Sequence, residues 1–242
     1  MEILLFIVIH WYLSLFSQTV FLHRYAAHKM FTMSPFMEKL FFVFTFLSQG
    51  SSYLSPYAYG IMHRMHHAYA DTKEDPHSPK YDKNLFAMMW RTKNNYNDIF
   101  YRKINIDSRF TQDIPEWNTF DQFASYLFVR ILWALAYIAF YIVFAPHWWM
   151  YLLLPVHILM GPIHGAIINW FAHKYGYINF KIKDTSKNFL PFDFLMLGES
   201  YHNNHHKNSK RLNFGYKWFE IDFAYVLLKF LSIFKVVHIK KV

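Results

Sequence analysis

Cysteine is absent from the 242 residues. That excludes disulfides, thiolate-ligated zinc, iron–sulfur clusters and cysteine nucleophiles within the chain, while leaving the redox compartment open. Charge is scarce too, at 17% of residues, against 54% hydrophobic and 22% aromatic. An ordinary soluble domain is not built this way. Yet the mean hydropathy is only +0.05, so a bundle wholly buried in lipid does not fit either. There is no internal repeat and no low-complexity linker, and the length suits a single domain over residues 1–242.

Long uncharged stretches give the organisation. Ile3 to Leu22 matches the thickness of a hydrocarbon core of about 30 Å. No basic region precedes it, which argues against a signal peptide. Leu40 to Tyr59 is also apolar, but serines, Gln49, Gly50 and Pro56 interrupt it, and we read it as re-entrant or interfacial. Phe123 to Ala145 is a second span, with Arg130 expected to snorkel. Met150 to Phe171 returns as a third, after the turn Pro146-His147-Trp148-Trp149. Phe223 to Val237 suits a helix lying on the membrane. The net charge of +9 brackets these segments rather than forming a nucleic-acid footprint. Of the 25 Lys and Arg, 12 lie between residues 23 and 122 and 12 from residue 172 onward. By the positive-inside rule both polar lobes are cytoplasmic. The expected architecture is an all-α membrane protein with about three transmembrane helices, interfacial or re-entrant helices, and a cytoplasmic helical cap.

Histidine is what the chain has in excess, with 15 residues. Four clusters stand out: His23–His28, His63-Arg64-Met65-His66-His67, Asn169–His173 and His202-Asn203-Asn204-His205-His206. Histidines at i, i+3 and i+4 share a helix face, and the topology brings all four clusters to one membrane surface. His10, His147, His157, His164 and His238 are read as surface or satisfied core residues. Nine imidazoles exceed the needs of one zinc site, and two metals of higher coordination number fit better. Rival readings are a histidine-rich metal transporter and a bis-histidine haem carrier.

These motifs resemble the membrane fatty acid desaturases, in particular the acyl-CoA (delta-9-like) branch. The pattern HRxxxH, HRxHHA with D…DPH, NxxxH and GExxHNNHH is matched at His23–His28, His63–Ala68 with Asp71 and Asp75-Pro76-His77, Asn169–His173, and Gly198–His206. The resemblance implies two iron ions held by His23, His28, His63, His66, His67, His173, His202, His205 and His206, with Asn169 acting through a water. It implies that reduced iron activates O2 and that two hydrogens leave adjacent methylenes of a fatty acyl chain, giving a cis double bond for unsaturated fatty acid biosynthesis. Glu199 and Asp71 stand where carboxylates would orient ligand imidazoles, whereas Asp75 and His77 would shape a loop or the substrate entrance. A lipid or alkane hydroxylase with the same centre is the nearest alternative. Three departures bear on the expectation. The segment before the first box is short. Ile61-Met62 stand where relatives carry charged residues near the CoA headgroup, leaving CoA, acyl carrier protein or a glycerolipid as carrier. No cytochrome b5 motif or ferredoxin cysteines are present, so electrons come from a separate protein such as ferredoxin or cytochrome b5.

Overall fold

The computed structural model describes residues 1–239 and is mostly helical, with little sheet. Helix α1 (Glu2–Phe16) runs without a break into a π-helical stretch, Ser17–Ala27, every residue of which is buried. The 26 residues together are long and apolar enough to cross a membrane. The π-helix has a local cause and a consequence. His23 and His28 are five apart, which on an α-helix puts them about 140° from alignment. An i→i+5 turn aligns them, with His28 N donating to His23 O at 3.2 Å and ring centroids 5.0 Å apart.

Helix α2 (Pro35–Gln49) starts at a capped end, where Ser34 Oγ accepts from Met37 N and Pro35 occupies the first turn. A tight turn at 50–55 leads to α3 (Pro56–Tyr69). Gly50 has φ +52°, and a Cβ there would fall 1.8 Å from Tyr137 Oη, so only glycine fits. His28 and His63, on either side of this hairpin, meet at 2.9 Å between Nε2 atoms. The segment 40–59 therefore leaves the histidine cluster and returns to it, as the re-entrant reading expects. Arg130 does not snorkel. Its guanidinium donates to Ser51 O and Tyr53 O at 2.7 and 2.8 Å, satisfying carbonyls that the turn leaves without helical donors.

The water-facing lobe that follows holds α4 (Leu85–Phe100), α5 (Ser108–Thr111) and α6 (Asn118–Ser125). The second span, α7 (Leu127–Phe144), begins later than the expected Phe123, which belongs to α6. The chain breaks at Tyr126, φ −58° and ψ 136°, while Asp121 of α6 is tied to Tyr53 Oη and Ser55 Oγ at 2.5 and 2.8 Å.

The third span is not continuous. A 3₁₀ turn (Trp148–Leu153) and α8 (Leu154–Ile158) meet α9 (Met160–Ala166) at a 73° bend. Pro162 has no N–H to give Ile158 O, four residues earlier. Ser51 Oγ donates to that carbonyl instead at 2.9 Å, and Gly161 N donates to Ser52 Oγ at 3.0 Å. Two breaks thus satisfy each other, which is the condition for irregular backbone at membrane depth. The chain continues through a π segment (Ile167–Phe171) to α10 (Ala172–Lys174). The second lobe contains α11 (His202–Lys207) and α12 (Phe223–Ile233), and ends in a two-residue strand, His238–Ile239, antiparallel to Phe31–Thr32. Helix α12 buries only Ala224 and Leu228.

Candidate metal centre

All nine motif histidines gather in two groups. His23, His28, His63, His67 and His205 form one, and His66, His173, His202 and His206 the other, with ligand nitrogens inside each group within 4.8 Å. The HxxHH spacing does more than share a helix face. On α3 the i, i+4 pair His63 and His67 serves the first group, while His66 serves the second. On α11 the pair His202 and His206 serves the second, while His205 serves the first. Each short helix therefore bridges both groups.

A six-residue helix such as α11 has no stability of its own in water, and the two asparagines of the motif hold it. Asn203 Oδ1 accepts from Asn179 N and Phe180 N at 3.0 and 2.9 Å, and Asn204 Nδ2 donates to Phe214 O and Glu220 Oε2, both at 2.9 Å. Arg64, the arginine of the second box, donates to Ala27 O and Gln112 O at 2.7 and 2.6 Å, tying the end of the first span to the lobe. Arg24 is fully buried, 2.9 Å from Glu199 Oε1 and 2.8 Å from Asp222 Oδ2, and also bonds Thr19 Oγ1. These two arginines, counted by sequence among the charges of the lobes, serve the interior of the fold.

Carboxylates fix the rings from outside. Glu199 Oε2 lies 2.7 Å from His23 Nδ1. Burial pushes the Glu199 carboxyl up, but the His23 ring and Arg24 outweigh it and leave it below the usual range. Its loop is shaped by Asp193, whose carboxylate accepts from Met196, Gly198 and Ser200 N, each at 2.8 Å. Asp75 accepts from His66 Nδ1 at 2.9 Å, and Asp184 from His206 Nδ1 at 3.1 Å. His173 Nδ1 meets Thr185 Oγ1 at 3.1 Å. Two expectations need correction here. Asp71 orients no imidazole: its carboxylate accepts from Ser78 Oγ and Thr185 N, both at 2.6 Å, which pins one lobe to the other. Asp75 does more than shape a loop, because it holds His66. Asp184 and Thr185 lie outside every motif and carried no sequence signal.

The donor set can be tested for metal on its geometry. Burial pushes the Asp75 carboxyl up, but the His66 ring outweighs it and holds it well below the usual range. A carboxylate on Nδ1 favours a proton there and, in a neutral ring, turns the Nε2 lone pair inward. Asp184 stands in the same position on His206. His66 Nε2 and His206 Nε2 face each other at 3.2 Å, as two nitrogens of one ligand set would. Burial first, and neighbouring imidazoles second, also hold His28, His63, His67, His202, His205 and His206 well below the usual imidazole range. The residues fit metal ions.

A cavity reaches both groups. Leu15, Tyr59, Met62 and Ile168 give it apolar walls, and His63, His202, Glu199 and half-buried Asn169 also line it. His77 lines it as well, buried, with its ring centroid 4.3 Å from that of His66 and neither nitrogen hydrogen-bonded. The histidines given no role divide. His147 is exposed and His238 lies on the terminal strand. His10, His157 and His164, however, are buried rather than surface residues. His10 Nδ1 and His157 Nδ1 are 2.7 Å apart, and both nitrogens of His164 lack a hydrogen-bond partner.

Helices fit to cross a membrane, with a polyhistidine cluster where they meet two polar lobes, define a class of membrane metalloprotein. Comparison of the sequence narrows it: the fatty acid desaturase model matches residues 2–229, and the chain belongs to that family. It is 30% identical over 223 residues to sn-1 stearoyl-lipid 9-desaturase of Synechocystis sp., covering 89% of this chain and 64% of the relative. Delta-9 acyl-lipid desaturase 2 of Arabidopsis thaliana is 28% identical over 220 residues, covering 89% of this chain and 67% of the relative. A sn-1 stearoyl-lipid 9-desaturase of Anabaena variabilis is 27% identical over 231 residues, covering 94% and 79%. The chain thus spans about two thirds of the length of the first two relatives. These names specify lipid-linked acyl chains, so the acyl-CoA branch expected from the motifs finds no support in them.

Proposed function

We propose that this chain is an oxygen-dependent desaturase that introduces a double bond into a fatty acyl chain at a di-iron centre. The nine motif histidines would hold the two irons, Asn169 would act through a water, and Glu199, Asp75 and Asp184 would hold the rings of His23, His66 and His206. The observation that carries the reading is the cluster of nine imidazoles in two groups, with carboxylates on Nδ1 of His66 and His206, beside an apolar-walled cavity. Two iron ions supply the capacity to activate O2. The protein's own task is placement. Methylenes offer nothing to bind, so the walls must set one carbon pair beside the cluster and exclude water. The balance is fixed by chemistry. Reducing O2 to two waters takes four electrons and four protons; the acyl chain gives up two of each, and a separate electron donor and the solvent supply the rest.

The substrate we favour is a lipid-linked acyl chain, because the relatives named above carry that word in their names. The active site would face the cytoplasm, on the strength of the Lys and Arg distribution. Expression in a host lacking desaturases, with fatty-acid profiling by mass spectrometry, tests the activity. Loss of two hydrogens from a host acyl chain supports it. Gain of one oxygen instead identifies a hydroxylase, and zinc in place of iron removes both. Single cysteines at exposed Lys83, His147 and Lys210 test the orientation with an impermeant thiol reagent, and only position 147 should label from outside.

A further inference from the structure

The two polar lobes differ in how they carry charge. In the first, Glu74, Asp107, Asp113 and Glu116 are exposed among the basic residues. In the second, between residues 172 and 222, Asp193, Glu199, Glu220 and Asp222 are all buried, and the remaining acid, Asp184, is engaged with His206. Lys174, Lys181, Lys183, Lys207, Lys210 and Lys217 are exposed there. The second lobe therefore presents a cationic face on which every carboxylate is buried or committed to an internal contact.

A surface cavity of about 300 Å³ opens in that face. Lys181, Lys187, Ile178 and Ile182 line it, and its inner wall is Asp184, Thr185 and His173. Asp184 bonds His206 Nδ1 and Thr185 bonds His173 Nδ1, both at 3.1 Å. From this cavity, His173 of the second histidine group is reached directly and His206 through one hydrogen bond. The acyl-side cavity is elsewhere, and His173 is not among the residues that line it.

We propose that this lysine-lined cavity is the docking site of the electron donor, a small acidic electron-carrier protein, and that Thr185–His173 and Asp184–His206 form its route to the metal centre. The inference rests on the desaturase reading, which requires two external electrons per turnover. Charge complementarity selects the partner: exposed cations without competing acids raise the encounter rate of an anionic protein and orient it. The isoleucines give the contact an apolar centre, and the direct contact with ring-holding residues explains why docking belongs here rather than on the mixed-charge lobe.

The test uses the iron-loaded protein and reduced plant-type ferredoxin, an acidic 2Fe–2S carrier, as the probe. Stopped-flow absorbance follows ferredoxin oxidation as salt is raised from about 0.05 to 0.3 M, a range over which screening shortens markedly. The wild-type second-order rate should fall steeply with salt. The double variant Lys181→Glu/Lys183→Glu reverses one lysine of the cavity and an exposed lysine two residues on; it should lose about tenfold at low salt and most of the salt slope, while iron content and reduction by dithionite stay unchanged. Lys103→Glu, an exposed cation of the first lobe, should change the rate less than about twofold. Salt-independent reduction of the wild type overturns the proposal, as does a double variant that ferredoxin reduces at the wild-type rate. So does a variant whose only defect is a raised KM for the acyl substrate, which would make the cavity an anionic-carrier site. Product assays run in parallel separate the two readings: salt-sensitive, lysine-dependent reduction without desaturation leaves the docking site standing and removes the desaturase.

Discussion

Two sets of closely packed histidines can be compared in this molecule, and they are not alike. Nine gather in the cluster, and three, His10, His157 and His164, lie between α1 and the bent third span. The trio and six of the nine are buried, and both sets place ring nitrogens about 3 Å apart. What separates them is the far side of four of the nine cluster rings, since Nδ1 of His202 and of His205 has no hydrogen-bond partner either. In the cluster, His23, His66 and His206 have a carboxylate on Nδ1 and His173 a hydroxyl. In the trio, Nε2 of His157 and both nitrogens of His164 have no hydrogen-bond partner, and the rings pack on Phe6 and Trp11. An outer acceptor fixes the tautomer, raises the basicity of the inner nitrogen and aims its lone pair. Burial and proximity alone do none of this. The lesson is that the acceptors behind four of its imidazoles set this candidate site apart from histidines that are merely buried together.

The comparison can be broken most severely at a ligand. His205 faces His23 and His67 at 3.0 and 2.9 Å, and His205→Ala should remove product formation and metal together while the protein still inserts. The loss should exceed the roughly 10–100-fold that removing an outer hydrogen-bond partner costs, and metal analysis of the purified variant checks it. A His205→Ala protein with full metal content would dissolve the first group as a site.

Asp75→Asn comes next, because it leaves an uncharged partner at His66 Nδ1. Metal affinity should drop about 10–100-fold with the fold intact, read by competition with a chelator. An unchanged affinity would mean that the carboxylates are bystanders, and the contrast with the trio would lose its meaning.

Asn169→Ala sharpens the comparison inside the cluster. If the side chain acts through water, metal content should stay within about twofold of wild type while turnover falls by about an order of magnitude. Metal loss as complete as in His173→Ala would make Asn169 a ligand.

The smallest effect is expected in the trio. His157→Phe removes one buried hydrogen bond, worth about 1 kcal/mol, so melting in detergent should shift by only a few degrees. Metal stoichiometry should not move. A variant that loses iron would put the trio inside the metal system.

The sequence by itself located the nine candidate ligands, because their information is local. Spacings of three, four and five residues dictate which rings share a helix face, and even the π-helix at His23–His28 is latent in its five-residue interval. The spans and the re-entrant hairpin were legible for the same reason: runs of apolar residues and the polar residues that interrupt them are written consecutively. What only the tertiary structure decided was which partner each group meets. Thr185 and Asp184 reach their imidazoles from a loop without pattern, Arg130 satisfies a turn that lies 77 and 79 residues away in the chain, and Ser51 takes the carbonyl that Pro162 abandons at a separation of 107. The 73° bend in the third span belongs here too, since Pro162 permits a break but the hairpin's hydroxyls make it affordable in an apolar surround. Hydrogen bonds of this kind join residues remote in sequence, and only the packed chain brings donor and acceptor within 3 Å.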